Sequence, residues 1–216
     1  MSGALQAIFQ NQRSFVPPVP DIGSAYEGGF FAGQIGVSGV ATHNLVVGPR
    51  STAESSLRWK NPATATPGAD SVIDGPQNTA DMVADGNSTV YPAAHFCNDL
   101  STGGQTDWYM PARNELEVIY YNLKPSTTGN NTASGINSNA VPARASNYTT
   151  GVPAQTSATN FQTPSGAQRF NTVFYWSSTD FSAGYARQQY FYTGSQTTNG
   201  YKFDAALVRA VRRVAV

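Results

Sequence analysis

Asp107-Trp108-Tyr109-Met110-Pro111-Ala112-Arg113-Asn114-Glu115-Leu116 reads as the end of a strand turning into a helix. Pro111 suits a first helical turn, where its missing N–H has no intrahelical partner to lose and its fixed φ is already helical. Beyond it Leu116, Ile119, Tyr120 and Leu123 recur at helical spacing, while Arg113, Glu117 and Lys124 fall elsewhere on the wheel. That pattern predicts an amphipathic helix resting on a core. Pro125 ends it, because a residue before proline is pushed out of the α region. Glu115 and Glu117 lie near the helix N-terminus, where the macrodipole favours negative charge, and are expected as solvated or capping carboxylates rather than general acids.

Two further blocks follow in order. Val173-Phe174-Tyr175-Trp176-Ser177-Ser178-Thr179 is aromatic and β-branched, which predicts a buried strand running into a polar turn, with Trp176 as a core anchor rather than a ligand platform. Leu207 to Val214 alternates as one strand, with Val208, Ala210, Arg212 and Val214 on one face and Leu207, Arg209, Val211 and Arg213 on the other. Its arginine stems are expected to pack while the guanidinium heads reach water or a neighbouring carboxylate.

In this order the three blocks resemble the Lcl-type C-terminal domain family of bacterial surface proteins and phage structural proteins, a branch of the C-type-lectin-like fold. The resemblance covers roughly Tyr26 to Val214. It implies an α+β fold of mostly antiparallel twisted strands with two or so helices, long ordered loops, and N- and C-terminal strands paired. Phe30 to Val37 is the candidate first strand. It also implies a display module that binds something rather than a catalyst.

Composition points the same way. Hydrophobic residues make up 40% of the 216, enough for a core, whereas charged residues are only 12%, about half the roughly 25% usual in soluble domains. Polarity therefore comes from Ser, Thr, Asn, Gln and Gly, a profile suited to loop-rich surfaces that lie against protein or glycan. A formal net charge of +0 with a pI near 6.7 supplies no basic field for nucleic acid. The lone Cys97 has no intrachain disulfide partner, and with Phe96 and Leu100 it reads as a buried small hydrophobe on a short helix. Met1 to Phe9 lacks the cationic start and unbroken apolar run of a secretory signal, and no stretch is long enough to span a bilayer. A virion protein, assembled in the host cytoplasm, fits that combination.

Along the chain, residues 1–22 read as an anchoring segment, carrying Leu5, Ile8 and Phe9 ahead of the stiff spacer Pro17-Pro18-Val19-Pro20. Residues 23–216 read as the lectin-like domain. Within it, a hairpin is expected to turn at Ser38-Gly39, Leu57 to Lys60 to add a short strand, and Gly68 to Gln77 to be a loop. Asn78 or Thr79 offers a cap for a helix near 80–83, and a second helix covers about 92–100. The stretch 126–168 is expected as a long ordered excursion, and Asn199-Gly200 as a hairpin turn.

Candidate chemistry is sparse. His95 and Cys97 stand two apart with His43 remote, too few ligands for zinc, and no nucleophile elbow, Walker loop or dinucleotide fingerprint occurs. Calcium-dependent lectins carry Trp-Asn-Asp where this chain has Trp176-Ser177-Ser178, so glycan binding is expected without an ion. The expectation is a protein with no enzymatic activity and no cofactor. Tyr185, Arg187, Gln189, Tyr192, Gln196 and Asn199 combine aromatic, arginine and amide groups and form the candidate contact surface, with Tyr185, Arg187 and Gln189 sharing a strand face. The leading reading is a tailed-phage structural protein, present in many copies or as a homo-oligomer. Its first segment would contact other virion proteins and its domain would attach to host-surface glycan or protein. A head-decoration or fibre-associated protein and a bacterial glycan-binding adhesin are the alternatives.

Overall fold

A computed structural model describes residues 18–216. A two-residue strand, β1 (Ala25–Tyr26), precedes β2 (Gly29–Val37), which turns directly into β3 (Val40–Val47). Ser38 and Gly39 at the turn both have positive φ, 51° and 79°, the backbone of a two-residue turn whose twist matches that of the flanking strands. Next come α1 (Arg50–Ala53), β4 (Glu54–Arg58), α2 (Gly75–Asp85), α3 (Pro92–Asn98) and α4 (Arg113–Leu123). The C-terminal part holds β5 (Phe174–Asp180), β6 (Tyr185–Tyr190), β7 (Ser195–Tyr201), β8 (Ala205–Arg209) and β9 (Val211–Ala215). The fold is α+β, with two curled sheets ordered β1-β2-β3-β9 and β4-β8-β5-β6-β7. All ladders are antiparallel except β5 with β8.

Several expectations are corrected. The last strand pairs with β3, from His43↔Ala215 to Val47↔Val211, not with the Phe30 to Val37 strand. That strand has no free edge, having β3 on one side and β1 plus the Ile35↔Ala140 bridge on the other. The single alternating strand over Leu207 to Val214 is two strands in two sheets. They part at Ala210, whose N–H donates to the Ala53 carbonyl (2.8 Å) and whose carbonyl accepts from Gly48 N–H (2.9 Å). Arg209 is thereby delivered to one sheet and Arg212 and Arg213 to the other.

Helix starts shift too. α2 begins at Gly75, with Asp74 accepting from Gln77 N–H and Pro76 in the first turn, while Asn78 and Thr79 are buried inside the helix. Pro111 lies before the cap residue Ala112, and its carbonyl accepts from Ser178 N–H (2.8 Å). Asn199-Gly200 is not a turn: both residues lie in β7, and the chain reverses over 191–194 instead. Gly200 serves packing, since a Cβ there would sit 2.4 Å from the Trp176 ring.

Two apolar clusters share the interior. One joins α4, through Leu116, Ile119, Tyr120 and Leu123, to β2, β3, Tyr175, Phe170 and Phe191. Tyr148 and Phe161 from the 126–168 stretch are part of it, so that excursion is ordered and contributes to the core. Ile22 also packs against this cluster. The second gathers Trp59, Trp108, Trp176, Met82, Tyr91 and Cys97. Trp59 Nε1 donates to the Ser177 carbonyl (2.8 Å) and Trp176 Nε1 to the Leu57 carbonyl (3.0 Å), stitching β4 to β5 reciprocally across the intervening β8.

Trp176 is fully buried with its indole N–H satisfied, so Trp176→Ala is expected to destabilise by about 3–5 kcal/mol. Equilibrium urea unfolding checks this; an unchanged midpoint would contradict the packing role.

Candidate functional site

Glu115 and Glu117 stand one turn into α4 and are both fully buried, which corrects their reading as solvated groups. Glu115 does cap the helix, accepting from Ala112 N–H (2.8 Å). It also accepts from Tyr109 O–H and from Arg213 Nε (2.7 Å). Burial pushes its carboxyl above the usual range, opposed mainly by the Arg213 charge. Glu117 faces the long excursion instead, accepting from Tyr148 O–H (2.6 Å), Asn137 Nδ2 (2.6 Å) and the Arg144 guanidinium. Arg144 in turn covers the Tyr121 ring at 4.1 Å.

The other C-terminal arginines pair internally, as their alternation with apolar residues predicts. Arg212 forks onto Asp107 (2.7 and 2.9 Å), holding that carboxyl below its ordinary value. Arg209 lies 3.8 Å from Glu54, donates to the carbonyls of Gly48 and Gln168, and is pushed down to about 10 by burial.

Among the described residues, Arg113 and Arg187 have no carboxylate within ion-pair distance. Arg113 opens α4 and donates to Asn114 Oδ1 and Gln196 Oε1, both at 3.1 Å. Its pKa is lowered, first by burial and then by the charge of Arg187. Arg187, on β6, stands 5.2 Å from the Phe181 ring centroid, and its buried Nε has no hydrogen-bond partner. Gln189 and Gln196 face each other across β6 and β7.

The structure therefore brings Arg187, Gln189 and Gln196 together but closes them around Arg113. Gln189 is only 1% exposed, with its Nε2 within 3.5 Å of the Gly194 carbonyl and the Tyr148 hydroxyl. This corrects the expected exposed face of Tyr185, Arg187 and Gln189. Tyr185, Tyr192 and Asn199 are exposed. Tyr192 lies at the far end of β6, beside Tyr190, which stacks on Phe174 at 4.6 Å. Tyr185 sits 5.8 Å from Tyr201, which continues to Phe203 under Arg58 (3.8 Å). Sequence reasoning missed Arg113, Tyr201 and Phe203. Arg113 was legible as a polar residue beside the helix start, and Tyr201-Lys202-Phe203 as an alternating aromatic pair. The Leu5, Ile8 and Phe9 set lies outside the described residues.

Catalytic geometry is weak where it comes nearest. His95 Nδ1 lies 3.5 Å from Asp99, in a depression that Ser55, Ser88 and Ser101 also line. However, His95 Nε2 is taken by the Gly86 carbonyl at 2.8 Å, so no serine is joined to the pair. Burial pushes the Cys97 thiol far up, away from thiolate character. No group of three or more His, Cys, Asp or Glu side chains is placed to hold a metal among the described residues. No helix among them is long and apolar enough to cross a membrane.

The sequence model of the Lcl C-terminal domain matches residues 52–212, and the chain belongs to that family. The match runs from the end of α1 to the start of β9, so it takes in α4, both sides of the arginine cluster and the aromatic strands. Among solved structures the chain is similar to a fimbrial protein from Bacteroides ovatus ATCC 8483, at 17% identity and a TM-score of 0.45. That likeness covers 78% of this chain and 35% of the fimbrial one, so the chain spans about a third of that protein's length. No curated protein matches.

Removing Glu117 would leave the half-buried Arg144 without its anion and the buried Tyr148 hydroxyl without its acceptor. Glu117→Ala is therefore expected to destabilise by about 3–5 kcal/mol and to loosen the 126–168 stretch. Hydrogen exchange around Tyr148 checks it, and unchanged protection there would contradict the clamp.

Proposed function

We propose that this Lcl C-terminal domain is a non-catalytic attachment module whose contact surface is the outer part of β5, β6 and β7. One observation carries the reading. Among the described residues, every aromatic residue that is more than about a third exposed, namely Phe174, Phe181, Tyr185, Tyr192, Tyr201 and Phe203, lies on this part of the chain. Rigid aromatic faces offer contact area at low entropic cost, and Tyr hydroxyls add a polar handle. The rings form two groups, Tyr185 with Tyr201 at one end of β6 and Tyr190 with Phe174 and Tyr192 at the other, about 17 Å apart at roughly 3.3 Å per residue and on opposite strand faces by alternation. Arg58 and Arg187 beside the rings supply donors.

A host-surface glycan, bound without an ion by a C-type-lectin-like arrangement, is the ligand this composition favours. The setting we propose is the virion of a tailed phage, with many copies tethered through the Leu5, Ile8 and Phe9 segment to other virion proteins. The ordered resemblance of the three sequence blocks to phage structural proteins of this family supports it.

Tyr185→Ala with Tyr201→Ala is expected to lower retention on a glycan array and on intact bacterial cells by about tenfold, the scale of a lost aromatic anchor. The melting temperature should move by only a few degrees, since exposed substitutions change stability by about 0.5 kcal/mol or less. Undiminished retention by the folded variant would remove this face from the binding role.

A further inference from the structure

We infer that Arg113, Arg187, Gln189 and Gln196 form a recognition site for a carboxylate bearing a neighbouring hydroxyl, as an acidic sugar does. The inference rests on the proposed binding role of the β6 and β7 face and assigns that face a ligand chemistry.

Buried polar atoms are normally satisfied, and leaving one without a partner costs about 1–3 kcal/mol. Elsewhere this fold satisfies demanding groups, including a Glu117 carboxylate with three different side-chain donors. Yet Arg187 Nε, Gln189 Oε1 and Gln196 Nε2 are all buried without a hydrogen-bond partner. Among the described residues only Ser126 Oγ and Thr197 Oγ1 share that condition. The three belong to two adjacent strands, with Gln189 opposite Gln196 and Arg187 two residues from Gln189 on the same strand face, whereas Thr197, opposite Gln188, points to the other face. Their concentration in one place marks a site rather than scattered strain.

The orientation of both amides is determined. Gln196 Oε1 accepts from Arg113 Nη2, so its Nε2 is the free atom. Gln189 Nε2 is directed at the Gly194 carbonyl, so its Oε1 is the free atom. The cluster thus offers two donors, Arg187 Nε–H and Gln196 Nε2–H, and one pure acceptor, Gln189 Oε1.

Charge selects among ligands. The two half-buried arginines lack carboxylate partners, and Glu117 nearby is engaged by Arg144, Tyr148 and Asn137. A cation is therefore disfavoured and an anion favoured, with the planar guanidinium fork matched to a carboxylate. A bare oxyanion would satisfy the donors but present no hydrogen to Gln189 Oε1. A hydroxyl beside the carboxylate does, so the mixed donor and acceptor set fits a hydroxy acid.

The test is calorimetric titration of the full chain with glucuronate, glucose and inorganic sulfate, with side-chain Arg and Gln N–H signals followed by NMR. Glucuronate should bind at least about tenfold more tightly than glucose or sulfate, shifting the Arg187 Nε–H and Gln196 amide signals. Arg187→Gln should weaken glucuronate about tenfold while leaving the melting temperature within a few degrees. Should that variant unfold, the wild-type NMR shifts still decide the matter. Absence of glucuronate binding, shifts confined to other residues, equal affinity for sulfate, or full affinity in folded Arg187→Gln would each overturn the inference. If glucuronate fails while surface retention still depends on Tyr185 and Tyr201, only the ligand assignment falls.

Discussion

Two carboxylates buried on opposite sides of α4 hold this domain together. Glu115 is met by Arg213 from the last strand and Tyr109 from the segment before the helix; Glu117 is met by Arg144 and Tyr148 from the long excursion. A charge removed from water tolerates no half-measures: unpaired it would cost several kcal/mol, and paired it specifies which groups must converge. The pieces that sequence keeps far apart, 98 residues in the case of Glu115 and Arg213, are thereby registered on one helix. The tryptophan strand joins the same assembly through Ser178 N–H on the Pro111 carbonyl and Thr179 Oγ1 on Arg113 N–H.

That economy of charge has a consequence at the surface. With few acidic residues in the chain, and Glu54, Asp107, Glu115 and Glu117 committed to internal arginines, no carboxylate remains beside Arg113 and Arg187. The helix that organises the core therefore also carries one of the two unneutralised cations of the proposed site. Around it the sheet turns its large aromatics outward. Binding surface and scaffold share one element, so ligand contacts at Arg113 bear directly on a helix that the core holds rigid.

Local physics made some of this legible. Ser38-Gly39 specifies its own turn, the helical spacing of Leu116, Ile119, Tyr120 and Leu123 needs no distant partner, and Trp176 lies in a run that only a buried strand accommodates. Where the deciding contact is remote, the sequence misleads. Asn199-Gly200 carries a turn signal, but the glycine is needed under Trp176. Nothing in the apolar alternation of Leu207 to Val214 marks Ala210 as the crossing point, because Gly48 and Ala53 create it. Glu117 has the look of a solvent-facing residue until Arg144 is brought to it. In the candidate site, composition pointed to Tyr185, Arg187 and Gln196, while strand geometry placed Gln189 inside rather than on the contact face.

The clamp on α4 is tested most directly by a double-mutant cycle on Glu115 and Arg213, measured by equilibrium unfolding of Glu115→Leu, Arg213→Leu and the pair. Each single change should destabilise strongly, by about 3–5 kcal/mol for Glu115→Leu, because it strands the opposite charge. The double variant should recover part of that loss, with a coupling of at least about 1 kcal/mol. Additive effects within about 0.5 kcal/mol would mean that the two residues act independently, and would contradict the dependence of the fold on this buried pair.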